Sequence, residues 1–128
     1  MDIGKKIINV INKTQKETGY DIQVYVSQSL LEKDPVKSAK KVFSFYEMNL
    51  YPQSILIYIN KRNRKFTFIC NEEITKKVSR SYFNTLSEHF GEDLLSTRLE
   101  RALLILLTTL QITLPKKPSL NYEQQDLA

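Results

Sequence analysis

Five consecutive apolar residues in the middle of the chain, Ile55-Leu56-Ile57-Tyr58-Ile59, constrain the fold more than any other feature. Four of the five are isoleucine or tyrosine, which favour the β conformation, and the run is too short for a helix of ordinary length. Successive side chains of a strand point to opposite faces of the sheet, so a strand that is apolar at every position needs cover on both faces. The sequence therefore predicts a central strand with other elements packed above and below it.

Residues 22–27 alternate between more and less apolar side chains, the period of two that is typical of a half-buried strand. Asp34 and Pro35 then supply an N-cap and a first-turn proline for a helix that we expect to reach about residue 48. A strand, a helix and a second strand in this order form a crossover unit, and its two strands run parallel. The prediction is therefore a parallel pair of strands, 22–27 and 55–60.

The segment after the central strand predicts a hairpin, because residues 61–64 form a polar turn and residues 65–70 alternate again. Apolar spacing and capping residues predict three further helices: 3–18, a helix from Asn71 to a stop at Gly91, and 93–114, which Pro115 ends. We thus expect an α/β fold, a three-layer α/β/α sandwich with a mixed sheet and helices on both faces. Residues 1–115 would form the single domain and residues 116–128 a polar, flexible tail.

Composition narrows the class of protein. The single cysteine, Cys70, leaves no internal disulfide and no cysteine-rich zinc cluster. The longest apolar stretch, 102–114, is shorter than the roughly 20 residues of a membrane-spanning helix, so we expect a soluble domain. The N-terminal residues lack the apolar core of a signal peptide, which predicts a cytoplasmic protein, or an extracytoplasmic one if a leader has been removed. The formal net charge of +5 is modest, and we expect no nucleic-acid partner.

Residues typical of catalysis are few. His89 has no partner in the sequence around it, and Cys70 closes an apolar strand, where a thiol is more often a core residue than a nucleophile. The sequence contains no glycine-rich phosphate loop, no histidine pair at metal spacing and no nucleophile elbow. We therefore assign no catalytic residue and no organic cofactor.

The predicted strand directions bring carboxylates and amides to one end of the sheet. The proposed metal ligands there are Glu47, Asn49, Asn71, Glu72 and Glu73. Calcium takes about six to eight oxygen ligands of this kind. The competing interpretation is that Asn71 caps a helix and the glutamates after it compensate the helix dipole.

The opposite end of the sheet is basic, because the hairpin turn carries Arg62, Arg64 and Lys65. These three residues are candidates for binding an anionic partner. The alternative is an ordinary solvated turn, since no aromatic residues that could stack on a nucleotide are interleaved with them.

Several segments together resemble the TPM domain family. They are Thr18-Gly19-Tyr20-Asp21-Ile22 before the first strand, Ser29-Leu30 after it, the central run 55–59 followed by Arg62, and Phe90-Gly91-Glu92-Asp93-Leu94 before the last helix. The resemblance covers about residues 3–115. It implies an α/β/α sandwich and a protein of the bacterial envelope or of thylakoids, where some members are linked to photosystem II repair. Calcium binding and acid phosphatase activity are attributed to some members.

This chain departs from the family pattern at the segments that build the family's site. Pro52-Gln53-Ser54 stands where the family has Asp-Asn-Gly, and Asn71-Glu72-Glu73 stands where it has a glycine-rich or Asp-x-Gly segment. We therefore prefer a non-catalytic, TPM-like binding or accessory domain that works through protein contacts near a membrane complex. The alternatives are a divalent-metal-dependent phosphatase and a domain that binds an anionic partner through the basic turn.

Overall fold

The computed structural model describes residues 4–115 of the chain. The elements are, in chain order, α1 Lys5–Thr18, β1 Asp21–Ser27, α2 Pro35–Phe45, a 3₁₀ turn Met48–Leu50, β2 Ser54–Asn60, β3 Lys65–Cys70, α3 Glu72–Thr75, α4 Arg80–Ser96 and α5 Leu99–Thr113. The predicted tail, 116–128, lies outside the described residues. Within residues 4–115, no helix is long and apolar enough to cross a bilayer.

The three strands form one mixed sheet in the order β1-β2-β3. β1 and β2 run parallel, with Ile22 opposite Ile55, and β3 returns antiparallel, with Phe68 opposite Ile57. Asp34 caps α2 through a 3.0 Å hydrogen bond from the amide of Val36, so the crossover helix begins where its sequence signals place it. The predicted parallel pair and the hairpin are both confirmed.

Every residue of β2 is buried, and its side chains divide between two cores. Ile55, Ile57 and Ile59 pack into the larger core, which is built with α1, α4 and α5. Leu56 and Tyr58 pack on the other face against α2. Helices thus cover both faces, and the predicted three-layer α/β/α sandwich is confirmed. The burial of β2 accounts for its unbroken apolar run.

The first and last helices of the described chain pack side by side. Gln111 on α5 donates a 2.7 Å hydrogen bond to Thr14 Oγ1 on α1, and Thr14 in turn donates to the main-chain oxygen of Val10. Gly19 ends α1 in the left-handed conformation, with φ 81°, and so turns the chain into β1. Gln111, near the other end of the described chain, therefore helps to hold α1 in position.

The predicted helix boundaries after β3 are wrong. The helix predicted from Asn71 is broken after α3, and α4 starts afresh where Ser79 Oγ accepts a hydrogen bond from the amide of Tyr82. Gly91 does not end a helix, because α4 continues through it to Ser96, and the last helix begins at Leu99 instead of the predicted residue 93. A Cβ at Gly91 would lie 3.6 Å from the ring of Phe66, at ordinary contact distance, so this glycine sits where α4 packs closely on β3.

Candidate functional site

Asn71 is the centre of the predicted metal-binding end of the sheet, and its side chain is engaged in structural hydrogen bonds. Its Oδ1 accepts from the amide of Glu73 at 3.0 Å and thereby caps α3. Its Nδ2 donates to the main-chain oxygens of Asn49 at 3.0 Å and Met48 at 3.3 Å. The side chain is almost fully buried. Asn71 thus fastens the 3₁₀ turn to the start of α3.

The three carboxylates of the predicted metal set are exposed. Glu73 Oε2 forms an ion pair with Lys76 Nζ at 2.9 Å, and Glu47 has left-handed backbone geometry, with φ 54°, between α2 and the 3₁₀ turn. Among residues 4–115 there is no group of three or more His, Cys, Asp or Glu side chains arranged to hold a metal ion. The calcium set, which also draws on two amides, stays a prediction.

The basic turn is organised by a buried asparagine. Asn60 Oδ1 accepts from the amide of Arg62 at 3.0 Å, while its Nδ2 donates to Glu32 Oε2 at 2.8 Å. Arg64 has left-handed backbone geometry, and its guanidinium donates to the main-chain oxygen of Leu94 near the C-terminal end of α4. All three predicted anion-binding residues are exposed, but Arg64 differs from the other two because its guanidinium already has a carbonyl partner on α4.

A polar network that the sequence did not predict lies at the C-terminal end of β2. The hydroxyl of Tyr58 donates to Glu32, which also accepts from Asn60. Burial alone would raise the pKa of Glu32, but hydrogen bonds from Tyr58, Asn60 and Ser38 hold it below its ordinary value. Burial, and then the bond to Glu32, raise the pKa of Tyr58. The network fixes the loop between β1 and α2 to the sheet.

An open groove lies on the α2 side of β1. Helix α2 packs over β2 and β3, which leaves the same face of β1 uncovered. The groove has a volume of about 390 Å³. The residues that line it are Asp21, Gln23, Val24, Tyr25, Val42, Tyr46, Met48, Tyr51 and Leu56.

Large apolar side chains of residues 45–51 are exposed, and two of them, Tyr46 and Tyr51, line this groove. Phe45 is 76 % exposed, Leu50 63 %, and Tyr46 and Tyr51 56 % each. Together with Tyr25, which stacks on Tyr58 with ring centroids 5.6 Å apart, they form what we call the aromatic face. Its members are Tyr25, Phe45, Tyr46, Leu50 and Tyr51.

The backbone between α2 and β2 explains why these side chains point outward. α2 ends at Phe45, before the predicted boundary, and Glu47 then reverses the chain through its left-handed conformation. Met48 is buried by this turn, whereas the residues on either side of it are left in solvent. Tyr46 follows Val42 at the four-residue spacing that is typical of the buried stripe of a helix, so the sequence pattern does not reveal the aromatic face.

Cys70 and His89 lie outside this groove. Burial raises the pKa of the Cys70 thiol to about 12, so the thiol is protonated at neutral pH and is a poor nucleophile. His89 is exposed on α4, beside a cavity of about 560 Å³ between α4 and α5 that Asp93 also lines. Neither residue contributes a reactive group to the groove.

No protein-family model and no curated protein matches the sequence. Solved structures do match it. The NMR structure of the BA42 protein from the psychrophilic bacterium Bizionia argentinensis has a TM-score of 0.78 at 22 % identity, over 88 % of this chain and 81 % of that one. The N-terminal domain of the cg2496 protein from Corynebacterium glutamicum has a TM-score of 0.67 at 11 % identity, over 88 % and 74 % of the two chains. At these identities the likeness establishes a shared fold.

Proposed function

We propose that this chain is a non-catalytic, TPM-like binding domain that acts through protein contacts, and that the aromatic face is its contact surface. One observation carries the proposal. Within the seven residues 45–51, four large apolar side chains are more than half exposed, and two of them, Tyr46 and Tyr51, line an open groove. Contiguous exposed apolar surface of this kind is typical of interaction sites, whereas single exposed residues are ordinary.

The distribution of exposed apolar residues supports this choice of surface. Other large apolar residues are exposed as well, among them Leu30 and Leu31 after β1, Leu95 on α4, and Ile105 and Ile112 on α5, but none of them is aromatic and none lines the groove. In the aromatic face the rings of Phe45 and Tyr46 contact each other edge to face at 4.9 Å. Aromatic side chains give large contact area at a low cost in side-chain entropy, which is why they are enriched at protein interfaces.

The chemistry of the groove supports binding over catalysis. Asp21 is the acidic side chain that lines it, and its Oδ1 accepts a 2.9 Å hydrogen bond from Gln23, another lining residue. In the described part of the chain, 4–115, neither a histidine nor a cysteine lines the groove. The resemblance to the TPM family extends the proposal to a partner in a membrane-associated complex.

Site-specific photo-crosslinking in the cell that makes the protein tests the proposal. The photoreactive amino acid benzoylphenylalanine replaces Tyr46 in one variant, Tyr51 in a second and Leu95 in a control. We expect the same discrete protein adduct from the first two positions and none from the third. Adducts that are absent, or equally strong from Leu95, would contradict a contact surface at the aromatic face.

A further inference from the structure

β1 is an edge strand of the sheet, and one side of its backbone faces away from β2. The amide of Asp21 donates to the carbonyl of Gln53 at 2.9 Å, and the carbonyl of Ser27 accepts from the amide of Lys61 at 2.8 Å. In a parallel ladder, the residues that bond to the neighbouring strand alternate along the chain. The odd-numbered residues of β1 therefore pair with β2, and the even-numbered residues turn their N–H and C=O groups outward.

One of these outward groups is already satisfied. Gln15 Nε2, from α1, donates to the carbonyl of Ile22 at 2.7 Å. Within residues 4–115, the outward main-chain groups of Val24 and Val26 have no hydrogen-bonding partner. Such a row of donors and acceptors is a template for an additional strand.

The groove beside the aromatic face runs along β1, the strand that carries this edge. The side chain of Val24 packs toward the larger core, on the sheet face opposite the groove, yet Val24 is among the residues that line the groove. It is therefore the main chain of Val24 that forms the groove wall. A strand paired with Val24 and Val26 would place alternate side chains beside Tyr25 on the groove side.

The charges at the groove favour a basic occupant. Asp21 lines the groove, and Glu47 is exposed between Tyr46 and Met48, which both line it. Among residues 4–115, no lysine or arginine lines the groove. Tyrosine rings and carboxylates together attract lysine and arginine side chains. A second copy of this chain is a poorer match, because both copies carry a net charge of +5.

We infer that the outer edge of β1 binds an extended, basic segment of a partner protein by strand addition, with alternate side chains of that segment lying on the aromatic face. This inference rests on the proposed function and adds the conformation and charge of the partner. Peptide recognition by β-strand addition combines main-chain hydrogen bonds for affinity with side-chain contacts for specificity.

NMR titration of the full chain with three synthetic peptides tests the inference. The first peptide alternates lysine with valine, the second is the same peptide N-methylated at every valine, and the third alternates glutamate with valine. We expect the first peptide to shift the amide resonances of Val24 and Val26. N-methylation should weaken its binding about tenfold, because it removes the main-chain donors. The glutamate peptide should bind more weakly than the N-methylated one. The Asp21→Asn substitution should weaken binding of the lysine peptide but not of the glutamate peptide.

The outcomes separate this inference from the proposed function. Equal affinity of the N-methylated peptide, with shifts at Tyr46 and Tyr51 only, would overturn strand addition and leave the aromatic face as the contact surface. Shifts at the other sheet edge, Phe66 to Cys70, would overturn the choice of β1. Concentration-dependent shifts of Val24 without peptide would assign the edge to a second copy of the chain and overturn the basic partner. If the photo-crosslinking experiment gives no adduct at Tyr46 and Tyr51, the proposed function itself is contradicted.

Discussion

The side-chain nitrogen of Asn71 lies 3.0 Å from the main-chain oxygen of Asn49, and this hydrogen bond joins segments that are 22 residues apart. The same side chain caps α3 through its oxygen. One buried amide thus fixes the entrance of β2 relative to the exit of β3, at the end of the sheet where the calcium ligands are predicted.

Replacing Asn71 by alanine should destabilise the protein by about 2–3 kcal/mol, because the cap and the two main-chain bonds are lost together. Asn71→Ser keeps an oxygen that can cap α3 but has no donors that reach the 3₁₀ turn, so its loss should be about half as large. Urea unfolding followed by circular dichroism measures both. Equal losses in the two variants would show that the cap on α3 contributes little, and an unchanged stability in Asn71→Ser would show that the bonds to Met48 and Asn49 contribute little.

Calcium binding is tested by the effect of the ion on thermal unfolding. Because Asn71 is engaged in structural bonds and Glu73 pairs with Lys76, we expect millimolar calcium to change Tm by less than about 1 °C. A larger rise that is lost in Glu73→Gln and kept in Glu88→Gln would establish the predicted ligand set. Calcium-dependent hydrolysis of p-nitrophenyl phosphate with the same dependence would then favour the phosphatase.

The guanidinium of Arg64 donates to the carbonyl of Leu94, near the negative end of the α4 dipole. Arg64→Ala should therefore lower the free energy of unfolding by about 1–2 kcal/mol. Arg62→Ala, in the same turn, removes an exposed side chain and should change it by less than about 0.5 kcal/mol. If the two variants lose equal stability, the bond to Leu94 does not hold the hairpin turn against α4.

The pKa of Glu32 predicts how stability depends on pH. Its folded-state pKa lies below its unfolded value, so its hydrogen bonds stabilise the fold above the unfolded pKa of about 4.3, and that stabilisation is lost as the pH falls through the folded pKa. Glu32→Gln should be less stable than the wild type at pH 7, and the difference should shrink below about pH 4. Urea unfolding across this range measures it, with the exposed Glu88→Gln as control. A difference that is constant with pH would exclude ionisation of Glu32 as its cause.

The aromatic face should be dispensable for folding. Tyr46→Ser removes a side chain that is more than half exposed and should change the free energy of unfolding by less than about 0.5 kcal/mol. Phe43→Ala, nearly one turn earlier on α2 but buried in the smaller core, should cost about 3–5 kcal/mol. A comparable loss in Tyr46→Ser would mean that the ring serves the core rather than a partner.

The sheet could be predicted from sequence because its signals are local and mutually consistent. The unbroken apolar run of β2 requires cover on both faces, and the cap at Asp34 with the polar turn at 61–64 fixes the direction of each strand. The predicted helix end at Gly91 was wrong because a glycine in a helical sequence can mark either the end of the helix or a close contact with another element. The sequence does not distinguish these, and here the ring of Phe66 lies within contact distance.

The candidate site was harder to predict because it depends on where a helix stops covering a sheet. Tyr46 has the helical spacing of a core residue, and only the position of α2 over β2 and β3 leaves it beside an open strand. The role of Glu32 is equally non-local, since its partners Tyr58 and Asn60 come more than 25 residues later. The predicted strand directions, which define the two polar ends of the sheet, were right. The hydrogen bonds of Asn71 and Arg64 could not be predicted, because their partners come from distant parts of the chain.

The pairing of α1 with α5 sets the order in which this protein can be assembled. Thr14 leaves the ribosome well before Gln111, its partner 97 residues later, has been synthesised. Until then Ile7 and the rest of the apolar stripe of α1 lack the part of their covering surface that α5 supplies, so the larger core closes only after α5 has emerged. Contacts at such sequence separation slow folding, and a ribosome stalled before α5 would carry a chain whose first helix is exposed to chaperones.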